Sequence, residues 1–108
     1  MEIDPNKAVE FILKNSKDFA EAKAQRVYIE NFLRSKKSIL MSLAKSSTIS
    51  GAEAEAYAHP DYVTLIEGLK EAVAKEEKLK WQLIAAQARI EIWRTTEASN
   101  RTIDRAVR

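Results

Sequence analysis

Cysteine is absent from this chain. Its absence removes a disulfide frame, a thiolate nucleophile and any cysteine-based metal site, and makes an intracellular protein the economical expectation. Glycine and proline occur twice each, too rarely to punctuate a chain of short strands and tight turns. The single histidine, His59, has no second imidazole with which to complete a transition-metal site. No apolar run approaches the roughly 20 residues that span a bilayer. The opening Met-Glu-Ile-Asp-Pro has neither the basic nor the apolar region of a secretion signal. There is no glycine-rich phosphate loop, nucleophile elbow or His-Glu-x-x-His motif. Carboxylate pairs such as Glu53/Glu55 and Glu76/Glu77 sit among other charges and read as solvated faces, with nothing to enclose a pocket and shift a pKa. The expectation is a non-enzymatic protein with no cofactor and no metal.

What the chain does have is alanine, leucine, lysine and glutamate in helical order, with 31% charged residues. Its 108 residues suffice for one domain with one modest core. The clearest pattern is the series Leu65, Leu69, Ala72, Glu76, Leu79, Leu83, Ala86, Ile90, Trp93, spaced 4, 3, 4, 3 and broken only by Glu76. A 3.5-residue period held this long marks a helix buried along one narrow stripe against other helices. A looser register runs through Ala8, Ile12, Asn15, Phe19, Ala22, Arg26, Ile29, Leu33, Lys36, Leu40 and Leu43.

Boundaries follow from local signals. Asp4-Pro5 opens a helix, since Asp caps free N–H groups and Pro is tolerated at the first helical position. That helix is expected over about 5–45. Residues 46–50 form a polar loop. Ser50 and Glu53 have capping-box spacing, which predicts a short helix over about 51–58. His59-Pro60 ends it and Pro60 starts a last helix to about 105, with Gly68 inside at a cost of about 1 kcal/mol. His59 then serves the turn, and Tyr57 and Tyr62 pack the corner. The predicted fold is all-α: two long helices in an antiparallel, coiled-coil-like hairpin joined by a loop and a short helix. In that hairpin Ile29 lies near Glu76 and Arg26 within a turn of it. Either Arg26 and Glu76 satisfy each other, or Glu76 faces solvent where the seam opens. A two-helix core is thin, and Val63, Ile66, Val73, Ile84 and Ile92 lie off the stripe. A homo-oligomer is expected to bury them, with Leu65, Leu69, Leu79, Leu83, Ile90 and Trp93 as the seam. Trp93 is expected in the core and Trp81 at an interface.

The net charge of +2 conceals blocks. Residues 31–52 carry Arg34, Lys36, Lys37 and Lys45 with no acid; 53–77 carry seven acids and two bases; 78–108 carry seven bases and three acids. Such blocks favour an anionic partner or head-to-tail docking between copies. Arg94, Arg101, Arg105 and Arg108, spaced 7, 4 and 3, fall along one helix face. Guanidinium groups fork onto phosphates and stack on bases, and an aromatic can stack on an unpaired base. The arginines therefore either track phosphates or pair with Glu91, Glu97, Asp104 or the acidic block of another copy. Burial against carboxylates marks the adaptor; exposure along a shared groove marks the nucleic-acid binder. A membrane-surface helix is a remote third option, because Thr95 to Asn100 lacks a broad apolar face.

The segment Ala56-Tyr57-Ala58-His59-Pro60-Asp61-Tyr62, followed by Leu-Lys-Trp-Gln-Leu-Ile at 79–84 and Ile-Trp-Arg-Thr at 92–95, resembles phage recombination mediators of the T4 UvsY type. The likeness covers roughly Ala24 to Arg105 in layout and rests on no invariant motif. It implies an oligomeric protein of the bacterial host cytoplasm that binds single-stranded DNA. Such a protein helps load a RecA-like recombinase onto DNA covered by a single-strand binding protein. Lys36, Lys37 and Lys45 would contact DNA and the C-terminal helix would make the oligomer. The arginine-striped C-terminus and the shorter chain depart from that pattern.

Overall fold

The computed structural model describes residues 2–107. Three helices follow one another: α1 (Pro5–Ser42), α2 (Ile49–Ala58) and α3 (Pro60–Val107). No strand occurs among the described residues. Two compact units result, one spanning Glu21–Glu76 and one joining the stretch up to Ala20 with the stretch from Glu77 on. In each, a length of α1 lies along a length of α3.

Local chemistry sets the ends. Asp4 caps α1, its Oδ1 accepting from Asn6 N–H at 2.9 Å and Lys7 N–H at 3.3 Å. The helix stops at Ser42, three residues before the expected Lys45. Its last turn tightens, with Leu43 N–H shared between the carbonyls of Ile39 and Leu40. The Glu55 carboxylate then takes the Lys45 and Ser46 N–H groups at 2.9 and 3.1 Å, and these amides leave the helical path. The expected Ser50–Glu53 capping box does not form. Thr48 is the cap, its Oγ1 accepting from Gly51 N–H at 3.0 Å, so α2 begins two residues early and Glu53 is left for another partner. A Cβ on Gly51 would collide with Ser46 Oγ, whereas one on Gly68 would meet nothing. His59 is the joint. Its N–H donates to the Ala56 carbonyl, its own carbonyl accepts from Tyr62 and Val63, and its Nδ1 accepts from Asp61 N–H at 3.1 Å.

The buried stripes are the expected ones. In the Glu21–Glu76 unit, Ala22 and Leu40 are buried and Ile29, Leu33, Leu65, Leu69 and Ala72 half-buried; Ala52 and Ala56 of α2 complete that core. In the other unit Ala8 and Ala86 are buried and Ile12, Phe19, Leu79, Leu83 and Ile90 half-buried. Among the described residues, five of the six buried apolar residues are alanines, and no large side chain is fully enclosed. Two corrections apply. Trp93 is not core but 38% exposed, and Leu43, past the end of α1, is 74% exposed.

Each polar residue in the α1 stripe is satisfied. Asn15 Nδ2 donates to the Phe11 carbonyl at 2.9 Å. Lys36 Nζ lies 3.5 Å from Asp61. Arg26 forks onto Glu76, Nε to Oε2 at 2.6 Å and Nη2 to Oε1 at 3.0 Å, while Nη1 reaches Glu30 at 3.0 Å. Hydrogen bonding to Glu76 holds the guanidinium firmly protonated, against the opposing effect of burial. Of the two expected alternatives, Arg26 and Glu76 satisfy each other.

Two outcomes follow for stability. Gly68→Ala should gain about 0.4–1 kcal/mol, because Ala restricts the unfolded chain and fits the helix, while Gly51→Ala should lose stability; thermal unfolding of both against the parent checks this. Arg26→Leu should lower the thermal midpoint by stranding a mostly buried carboxylate, and adding Glu76→Leu should recover most of the loss. A double variant no better than the single would contradict the pairing.

Candidate nucleic-acid interface

The first basic zone lies at the end of α1. Arg34 and Lys45 are exposed, but Lys36 and Lys37 are half-buried. Locally the zone has no acid; the tertiary fold supplies them from α2 and α3. Besides the Lys36–Asp61 pair, Lys37 Nζ lies 3.0 Å from Glu53 Oε1 and 4.6 Å from the centre of the Tyr57 ring. Tyr57 meets Tyr62 edge to face at 5.3 Å, so the corner packs as expected and Lys37 lies over one of its rings. Hydrogen bonds to Tyr57 and to Glu53 raise the Lys37 pKa, and the hydrogen bond from Lys37 lowers that of Glu53. Lys36 and Lys37 thus carry ion pairs with distant carboxylates, while Arg34 and Lys45 are exposed. Sequence reasoning missed Glu53 as a partner because it had been assigned to a cap.

The second zone is the far part of α3. From Glu91 to Val107 every residue is exposed. The heptad explains why the stripe ends there. The positions that continue it after Trp93 are Glu97, Asn100 and Asp104, none of which gains by burial. Arg94 Nη1 sits 3.4 Å from Glu91 in a fully exposed pair, a contact worth little. Arg101 and Arg105 are exposed, and no ion pair joins either to a carboxylate among the described residues. Arg108 lies outside the described residues. Trp81 is 60% exposed, its Nε1 donating to Glu77 at 3.1 Å with Lys80 over its ring at 5.8 Å.

Where the first turns of α1 meet α3, a groove of about 630 Å³ opens. Ile3, Ala8, Phe11, Ala85 and Ala86 give it an apolar floor, with Lys7 and Arg89 among its rim residues. No unsatisfied polar side chain is buried among the described residues, and no cluster of His, Asp or Glu with metal-ligand geometry occurs among them. Among the described residues no helix is long and apolar enough to cross a membrane.

Compared with family models, curated proteins and solved structures, the chain matches none.

The ion pair sets a pH dependence. Glu53 ionises more readily folded than unfolded, so its contribution is complete above the ordinary carboxylate value of 4.5 and is lost as pH falls through its lower folded value. Lys37 has the opposite sign: its contribution holds below 10.5 and is lost as pH rises through its raised folded value. Glu53→Gln should therefore flatten the acid limb of a stability–pH profile measured by urea unfolding. An unchanged limb would mean that the pair carries no weight.

Proposed function

We propose that this chain is a non-enzymatic, single-stranded-DNA-binding accessory protein of phage recombination, acting in the host cytoplasm to help load a RecA-like recombinase. The observation that carries the reading is the free far part of α3, where Arg101 and Arg105 are exposed with no carboxylate paired to them among the described residues. Their i, i+4 spacing points two guanidinium groups the same way, one helical turn apart. Exposure is what phosphate tracking needs, and it is the opposite of what an arginine buried in an adaptor interface would show. Arg34 and Lys45 supply further outward charge. The helix–loop–helix layout and the corner at Tyr57-Ala58-His59-Pro60 are what relate this reading to the phage mediators.

A second reading, a helical adaptor whose basic zones dock on acidic protein surfaces, has its own support. Lys36 and Lys37 already show such docking within the chain, onto Asp61 and Glu53. On either reading Lys36 and Lys37 are held structurally, and Arg101 and Arg105 of α3, with Arg34 and Lys45, are among the cations with no ion pair among the described residues.

The deciding experiment titrates a fluorescent single-stranded oligonucleotide with the intact chain, beside duplex DNA of equal length. With about four phosphate contacts, affinity for the single strand should fall roughly fifty-fold between about 50 and about 200 mM salt. Arg101→Ala combined with Arg105→Ala should weaken binding and flatten that salt slope, whereas Lys36→Ala should mainly lower stability. No binding at the lower salt removes the DNA reading and leaves the adaptor.

A further inference from the structure

Trp81 has no place in the buried stripe that Leu79 and Leu83 carry past it, and it is 60% exposed. The indole is held rather than loose. Its Nε1 donates to Glu77 Oε2 at 3.1 Å, one turn back along α3. The ring's single hydrogen-bond donor is thereby spent, and what it offers a partner is its face. Ala85 and Ala88, at i+4 and i+7, share its side of the helix; both are exposed and too small to cover it. The surroundings are cationic. From Lys78 to Ile90 the helix carries Lys78, Lys80 and Arg89 and no acid. All three are exposed, and no ion pair joins any of them to a carboxylate among the described residues. Lys80 Nζ lies 5.8 Å from the centre of the Trp81 ring, near the outer limit of about 6 Å for a cation–π contact.

We propose that Trp81 is a stacking platform for an unpaired base of single-stranded DNA, with Lys78, Lys80 and Arg89 taking the phosphates to either side of that base. The inference rests on the single-strand reading and adds to it a contact made with bases rather than with charge. Every base has a π-face, so a ring that stacks accepts any sequence. Bases in a duplex are already stacked on one another, so the ring favours the single strand. A polyanion supplies the charge that a stretch of three bases and no acid lacks. Glu77, the acid that borders the stretch, is engaged by the indole, and holding the ring in advance lowers the cost of ordering it on binding. An incoming base displaces the Lys80 ammonium from its distant seat over the ring, and the same side chain then reaches the adjoining phosphate. Arg101 lies about 30 Å further along the helix axis and on another side of α3. Trp81 is therefore a second contact on the helix and not a continuation of the arginine row.

Tryptophan emission and affinity test it together. Trp93→Phe leaves Trp81 as the single tryptophan of the intact chain. Titrating that variant with an oligothymidine of about 16 nucleotides should quench its emission as the strand binds. In the parent chain, Trp81→Ala should weaken single-strand affinity roughly five- to hundred-fold, the loss of one base stack. It should leave the salt slope unchanged, because no charge is removed. Trp81→Phe should recover part of the affinity. Lys78→Gln together with Arg89→Gln should instead flatten the slope. The decisive comparison uses an abasic strand of equal length, which keeps the phosphates and lacks the bases. On that strand Trp81→Ala should cost nothing, whereas a variant that merely disturbed the helix would lose affinity for both strands. Circular dichroism confirms that each variant keeps its helices. Trp81→Ala binding the oligothymidine as the parent does, emission unmoved at saturation, or an equal loss on both strands would overturn the inference. If binding needs Arg101 and Arg105 but not Trp81, this inference alone falls. A parent chain that binds neither strand removes the single-strand reading and this inference with it.

Discussion

A guanidinium fork inside a stripe of alanine and leucine governs the Glu21–Glu76 unit. Apolar stripes alone specify that two helices meet, but alanine against leucine distinguishes poorly between neighbouring registers. Arg26 and Glu76 do not tolerate a slip. Both interrupt the apolar stripe, and Glu76 is buried. Sliding α1 by one turn would strand a desolvated carboxylate, the costly half of any broken buried pair. With that register fixed, Lys36 falls beside Asp61 and Lys37 beside Glu53. The fork thus works less as a source of stability than as a specification of alignment.

The thinness of the core has a consequence for how the protein works. With alanines at most buried positions, the helices lie close together but enclose little, and no large side chain is wholly removed from water. Charge and apolar edges are correspondingly prominent at the surface of the described residues. The free far part of α3 concentrates both.

Much of this was written in the residue order. The 4, 3, 4, 3 periods located both buried stripes, Asp4-Pro5 and His59-Pro60 located helix starts, and an Arg26–Glu76 pair was one of two ways to satisfy the polar break at Glu76, the other being exposure to solvent. These are local or periodic signals, and they survive into the structure because helix geometry is fixed by the backbone alone. Only the tertiary structure decided the rest. It took Glu53 from a presumed cap to Lys37, gave Glu55 to the loop amides, and left Trp93 38% exposed. Those outcomes depend on which residues from distant helices arrive within about 3 Å of one another, and side-chain partners at a corner are chosen by geometry that no period encodes.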